Sequence, residues 1–540
     1  MNAPTGFRGI WRSDDAARAV YSEAAGIQRI IPRAVAVPAD AADVATLVRW
    51  AAETTTPLVP RGSGSSMAGG AIGDGVIVDL SRLDAIGEVD PGERSLRVGP
   101  GAVLGAVNER ARASGLRFPV DPSSWAFCTL GGMASTNAAG ARTVRVGSAR
   151  PWIRALDCVF SDGSRAEVRR GGVVPDISIV RQFLADVAPA LLEAERERPS
   201  VHDGVRKESS GYGLAAWARS GALIDLLVGS EGTLAIVVGL ELALDPLPAV
   251  TASLLATFPN LESAVAGATA ARESGASACE LLDKTFLDVA AAGPLPMEIP
   301  IGTEAVLLAE IEADDAAASA SRMDEIARSF SRAGATAIRH ADTDDAQHTL
   351  WALRHAASPI LARLDPSLKS MQFVEDGAVP PARLPDYVRG VRAALDRRGL
   401  RGVIFGHAGD AHMHVNPLVD VRLADWRARV DGLLDDVTSL VSLLGGTITG
   451  EHGDGRLRAA LLPRVWSLHA IARFAAVKHA FDPLGILNPG VKVADARSAE
   501  IGDVKYDPAL APLPPSARAA LDRVERDRAY SHFRLALLDA

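Results

Sequence analysis

The 540-residue sequence predicts an α+β fold in two parts, and three features carry that expectation. Strands and helices before residue 245 are short and unevenly spaced, unlike the regular strand–helix rhythm of a parallel nucleotide-binding sheet. Glycine-rich turns interrupt that stretch three times. Beyond the Pro-punctuated joint LDPLPAV, apolar strands alternate with Ala-rich helices, which marks a second unit.

The elements follow in order. Residues 1–31 read as a short helical lead-in. Residues 34–38 form a short strand, and Asp40 can cap the helix of DAADVATLVRWAAE. A strand at 58–60 stops at Arg61, and GVIVDL and residues 95–98 are further strands. The helix of GAVLGAVNERARASG stops at Gly115. After the strand TLAIVVGLELAL and the joint, the strands SLLATF, AVLLAEIE and GVIFG alternate with the helices LESAVAGATAARESG and AAASASRMDEIARSFSRAG. The tail beyond Val493 is polar and Pro-rich, then helical from 517 to 538, a docking helix or the contact of a homodimer.

Composition narrows the function. The apolar share is 48% and the charged share 23%, ordinary for a globular protein. A net charge of −9 argues against nucleic acid as a partner, so an anionic ligand needs a local cationic site. Three cysteines, Cys128, Cys158 and Cys279, lie far apart, which excludes a disulfide framework, a zinc ribbon and a four-thiolate cluster within this chain. The N-terminus lacks the layout of a signal peptide, and no run is apolar enough to span a bilayer. The expectation is a cytoplasmic protein, with contact at the inner face of a membrane left open.

Three loops are rich in glycine and small hydroxyl residues: RGSGSSMAGG from Arg61, DPSSWAFCTLGGMASTNAAGARTVRVG from Asp121, and GSEGTLAIV from Gly229. Such loops let backbone N–H groups approach phosphate oxygens. Lys207, Gly211 and Tyr212 precede the third, in RKESSGYGL. Each loop alone could be a packing seam; three on one unit suggest a large ligand clasped at several points.

The densest chemistry is GHAGDAHMHVNP, with His407, Asp410, His412, His414 and Asn416 in a chain of 11 histidines. On a strand, His412, His414 and Asn416 share one face, with His407 reaching in from the preceding loop. GEHGDGRLR adds Glu451, His452, Asp454, Arg456 and Arg458. Two imidazoles and a carboxylate can hold a divalent metal with room for substrate oxygens, though spacing does not say which groups ligate and which act as base. No H-E-x-x-H helix occurs, which disfavours a metalloprotease.

Taken in order, VPRGSGSSMAGGA, DPSS…TLGGMASTNAAG, RKESSGYGL, VGSEGTLAIV, GHAGDAHMHVN, GEHGDGRLR and FDPLGILNPG resemble the FAD-linked oxidase family, whose flavin domain is of the vanillyl-alcohol oxidase type. The likeness is nearest to glycolate oxidase flavoprotein subunits, D-lactate dehydrogenases and D-2-hydroxyglutarate dehydrogenases. It implies a two-subdomain FAD-binding domain at 32–246 and an α+β substrate (cap) domain with a metal site at 247–478. A return to the FAD domain at 479–493 and a tail at 494–540 complete the chain. By the same likeness Arg61, Gly62, Ser63, Gly64, Ser65 and Ser66 hold the FAD pyrophosphate, and Pro60 and Gly69 beside them also bind the cofactor. Pro122, Ser123, Ser124, Gly131, Gly132, Ser135, Thr136, Asn137, Gly140, Gly229, Glu231, Gly232, Thr233 and Asn488 wrap the rest. Relatives with covalent flavin use a His in the first loop; Ser65 stands there, so non-covalent FAD is expected.

The resemblance further implies metal ligation by His407, His414 and Glu451, with zinc favoured over manganese or iron. His452 matches the catalytic base, Asn416 a substrate contact, and Arg354 the grip on the substrate carboxylate. The implied reaction oxidises a D-2-hydroxy acid to its 2-keto acid, with hydride passing to flavin N5 and the hydroxyl proton to His452. The electron acceptor is left open among a quinone, a cytochrome, a flavoprotein carrier, oxygen and an iron–sulfur partner chain. Two departures stand out. Val374 replaces a substrate-binding Lys of the D-2-hydroxyglutarate branch, a charge Arg456 or Arg458 could supply, whereas Glu375 and Asp376 resemble the glycolate and lactate branch. His412 stands where relatives commonly have Asn. Asp410 and Asp454 read as loop formers, and Trp125 and Cys128 as packing residues. Alternatives within the fold are an alcohol or sugar oxidase, an alkyl-transfer enzyme, or a non-catalytic subunit. The intact Arg354, His407, His414, Glu451 and His452 argue against the last.

Overall fold

The computed structural model describes residues 1–540 except 292–296, 356–366, 497, 499–500 and 540. Ala34–Val37, Val76–Asp79 and Leu58–Arg61 pair in parallel, and Ile10–Arg12 adds an antiparallel edge. The expected helical lead-in therefore also contributes a strand. Ala34, Ala36, Leu58, Val76 and Val78 face the Ala41–Thr54 helix, whose first N–H groups are capped by Asp40. Val35, Val37, Val59 and Ile77 face the opposite way, onto the Asp15–Val20 helix and the tail helix Pro515–Asp527. A sheet covered on both sides needs apolar side chains on both faces, which is why AVAV and VIV do not alternate. The tail helix thus spends its apolar face, Ala517, Leu521 and Val524, on its own chain rather than on an outside partner.

The second sheet has five antiparallel strands, in the order Ile86–Asp90, Ser95–Val98, Ala235–Ala243, Ile153–Phe160 and Arg165–Arg169. The Leu104–Arg112 helix and the late helix Leu468–Phe481 pack on it. Leu462, Trp466 and Phe474 already belong to this core, so the chain re-enters the first half ahead of the return expected at 479.

The third sheet has eight antiparallel strands. Its long members are Val250–Phe258, Ala305–Ala313, Ala278–Asp283, Arg401–His407 and His412–Asp420. Four helices, Leu261–Glu273, Ala316–Arg332, Leu384–Arg397 and Trp426–Leu443, cover one face. At its His-bearing end the other face turns toward the glycine loops. Among the described residues no helix is long and apolar enough to cross a membrane.

Candidate active site

A tight turn after Arg401–His407 sends the chain straight back as His412–Asp420, pairing His407 with His412, Phe405 with His414, and Val403 with Asn416. Cross-strand partners project to the same side, so His407, His412, His414 and Asn416 emerge together. His407 is the last residue of its strand and not, as expected, part of a loop. Glu451 enters from the segment after the Trp426–Leu443 helix. Its Oε1 lies 3.3 Å from His407 Nε2 and 3.3 Å from His414 Nε2, while the two nitrogens are 3.4 Å apart.

Each ring is held from behind. His407 Nδ1 lies 2.5 Å from Glu280 Oε1, and His414 Nδ1 lies 3.0 Å from the Glu375 carbonyl. His452 stacks on His414 at 5.3 Å, with its Nδ1 3.2 Å from Glu375 Oε1 and its Nε2 3.8 Å from Glu451 Oε1. Three ligand-type atoms this close, with the outer nitrogen of each imidazole anchored, could hold a divalent cation. His412 is fully buried behind this triangle; its Nε2 meets Asp376 at 2.8 Å and its Nδ1 has no hydrogen-bond partner among the described residues.

Charge is concentrated below the triangle. Asp376 takes the His412 ring, the Glu451 and His452 backbone N–H groups and the Arg458 guanidinium. Burial works against ionising Asp376, yet His452 and Arg458 outweigh it and hold the carboxyl below its usual range. Burial likewise disfavours charging His407, but Glu280 reverses this and raises the imidazole to about 9. Lys207 Nζ, almost fully buried, contacts Glu451 Oε2 at 2.6 Å. Arg354 joins from the Asp344–His355 helix, its Nε 2.8 Å from Glu280 and its guanidinium 4.4 Å from the Phe405 ring centre.

One cavity of about 1240 Å³ runs from these groups to the glycine loops. Arg354, His407, His414, Asn416, Glu451 and His452 line one end. The other end is lined by residues 60–67, Pro122, Ser123, Ser124, Gly131, Gly132, Ser135, Thr136, Gly140, Glu231 and Gly232. The volume exceeds the roughly 300–1,000 Å³ of ordinary ligand pockets and suits a dinucleotide plus a small substrate.

Five of the expected cofactor residues are not on its wall and brace it instead. Gly69 packs against Gln28, and Asn137 caps the Leu130–Thr136 helix and accepts from the Arg150 N–H. Gly229 N–H donates to the Ala134 carbonyl, and Thr233 Oγ1 to the Ser230 carbonyl. The Asn488 amide donates to the carbonyls of Gly70 and Glu231. Arg61 lines the cavity, but its guanidinium is bound to the carbonyls of Tyr21, Glu23 and Ala71.

Other expectations change. Arg458 is buried against Glu375 and Asp376, and Arg456 holds Gly69, Asn488 and Pro489, so neither is placed to meet a substrate. Asp454 is more than a loop former: fully buried, it accepts from Ser210, Gly211 and Thr449 and pairs with Lys492. Asp410 is buried near Arg206. Trp125 is 57% exposed rather than packed, whereas Cys128 is buried. Glu280 was not singled out from the sequence; the signal was a carboxylate inside the otherwise apolar run ACELL, ahead of the strand-ending Asp283.

N–H-bearing loops around a dinucleotide-sized cavity, closed at one end by a His–Glu cluster, define a flavin-dependent oxidoreductase. The chain belongs to the FAD-linked oxidase family. It matches the FAD binding domain over residues 32–169 and the C-terminal domain of FAD linked oxidases over 247–491. It is 30% identical to the glycolate oxidase subunit GlcD of Bacillus subtilis, over 91% of this chain and 95% of that one. It is 29% identical to a D-lactate dehydrogenase of Archaeoglobus fulgidus, over 85% and 92%. Identity to the D-2-hydroxyglutarate dehydrogenase of Escherichia coli is also 29%, over 93% of this chain; the match spans about half, 52%, of that larger protein. Among solved structures, p-cresol methylhydroxylase is similar with a TM-score of 0.65 at 14% identity, covering 91% of this chain and 95% of that one. Alkyldihydroxyacetonephosphate synthase is similar with a TM-score of 0.61 at 15%, covering 89% and 82%. These two likenesses show the vanillyl-alcohol oxidase type of fold alone.

Proposed function

We propose that this protein oxidises a D-2-hydroxy acid of the D-lactate, glycolate or D-2-hydroxyglutarate class to the 2-keto acid. One observation carries the reading: the His407–His414–Glu451 triangle, His452 and Arg354 stand together at the end of the cavity that the flavin loops open into. The curated relatives named above act on glycolate, D-lactate and D-2-hydroxyglutarate, in support. We assign FAD binding to 32–246 with a return near Asn488, and the substrate side to the part from 247 on.

Bound non-covalently, FAD supplies the hydride acceptor, and a divalent metal (zinc, manganese or iron) supplies polarisation of the substrate hydroxyl. His407, His414 and Glu451 would hold that metal. Arg354 orients the substrate carboxylate with the guanidinium edge that Glu280 does not occupy, and Asn416 offers an amide beside it. His452 accepts the hydroxyl proton at Nε2, because Nδ1 faces Glu375. Lys207, almost fully buried, pairs with Glu451 Oε2 and fixes that carboxylate in place. The word subunit in the glycolate oxidase relatives' names supports a separate electron acceptor.

Anaerobic bleaching of the flavin by a panel of D- and L-lactate, glycolate, D- and L-2-hydroxyglutarate and D-malate tests the proposal. Rapid bleaching by a D-acid, lost on chelation and slowed about 10²–10⁴-fold by His452→Ala, is the expected result. A flavin that no hydroxy acid reduces overturns it and turns the search to alcohols, sugars or alkyl transfer.

A further inference from the structure

The first glycine loop is shaped by groups distant in sequence. Its carbonyls are drawn outward: Gly64 C=O accepts from Ala25 N–H at 3.0 Å, and Ser66 C=O from Gly26 N–H at 3.3 Å. Ser63 C=O accepts from Arg534, at 3.2 Å, which is close to the C-terminus. In a planar trans peptide the N–H points opposite to the C=O. Pinning these three carbonyls therefore turns the N–H groups of Gly64, Ser65 and Met67 the other way, toward the cavity that the same residues line. Among the described residues, no backbone acceptor takes the N–H of Gly64, Ser65 or Met67. Such a run of inward N–H groups is an anion nest.

Arg534 is itself unusual. It is 4% exposed, its Nη1 has no hydrogen-bond partner, and no carboxylate pairs with it among the described residues. Arg61, the second guanidinium here, lies directly under the loop: a Cβ on Gly64 would sit 2.3 Å from Arg61 Nη2. Two guanidinium groups buried near one another repel; the buried Asp79 carboxylate offsets part of that charge for both, and a bound anion would offset more. The segment carrying Arg534 lies outside both family matches, the later of which ends at residue 491.

We infer that the C-terminal tail is a working part of the cofactor site: Arg534 is a positioning residue that orients the Gly64 N–H and, with Arg61, presents positive charge through the loop to the FAD diphosphate. The inference rests on the reading of this cavity as the flavin site. Tyr530 and Arg528 support the same placement, since both lie against Phe127 on the cavity wall.

The test uses full-length protein stripped of flavin and titrated with FAD and, separately, with ADP as a probe of the diphosphate end. Arg534→Met is expected to weaken FAD and ADP by the same factor, at least tenfold, and Arg534→Lys to stay within threefold of wild type. Arg534→Gln keeps a donor without the charge and is gentler on the fold; it is expected to weaken both ligands at least threefold. Affinities within twofold of wild type in the folded Met or Gln variant overturn the inference, as does a Lys variant no better than Met. Wild-type protein that takes up no FAD would instead sink the flavin reading itself.

Discussion

Glu375 and Asp376 show how much two adjacent side chains can govern. Glu375 reaches the His452 ring and Asp376 the His412 ring, while Arg458 bridges both. Burial opposes a charge on His452, but Asp376 and then Glu375 more than compensate, and the imidazole sits above its ordinary value. A base must be neutral to accept a proton, so kcat/KM falls as pH drops through that value. Glu375→Gln removes one stabilising carboxylate, lowers the His452 pKa and moves the acid limb of the pH profile to lower pH; an unmoved limb would contradict this. Asp376→Asn leaves the buried Arg458 and His412 with one charge fewer and is expected to cost about 3–5 kcal/mol, read from the denaturation midpoint. The dipeptide was visible in the sequence as a mark of one branch. Its wiring was not, because its partners lie 36 and 82 residues away.

Loops and strands differ in how much they reveal on their own. In the glycine loop, Gly64 has φ +74 and leaves no room for a Cβ beside Arg61. Gly64→Ala is expected to impose about 1–3 kcal/mol of strain and to yield protein with less bound flavin, read as the absorbance ratio after purification. The need for glycine there was legible, since turn chemistry is set by a few neighbouring residues. Strand alternation likewise identified the shared face of His412, His414 and Asn416. It did not reveal that His407 ends a strand, nor that residues 10–12 pair with the Ala34–Val37 strand.

Between the two halves lies a row of partly buried ion pairs. Arg142 meets Asp121 at 2.7 Å and Glu310 at 2.6 Å; Arg117 meets Glu312 at 2.6 Å; Arg145 meets Asp245 and Glu312 at 2.9 Å. Arg142 and Arg145 join the stretch after Asp121, whose Pro122, Ser123 and Ser124 line the cavity, to the Ala305–Ala313 strand of the eight-stranded sheet, and Arg117 joins it from just ahead of Asp121. Arg142→Met strands the buried Glu310 and is expected to cost about 3–5 kcal/mol and to speed flavin release, measured by thermal melting and by flavin fluorescence. The tail acts at this scale too, covering one face of the first sheet while reaching the glycine loop.

Glycine loops, strand periods, helix caps and the crowding of His and Glu are local, decided within a few residues by backbone sterics and side-chain alternation, and all could be read along the chain. The convergence of Glu280 on His407 across 127 residues, of Glu375 on His452 across 77, and of Arg534 on Ser63 across 471 could not. Such contacts depend on how whole sheets pack, and packing is set by the sum of many buried surfaces rather than by any short run of residues.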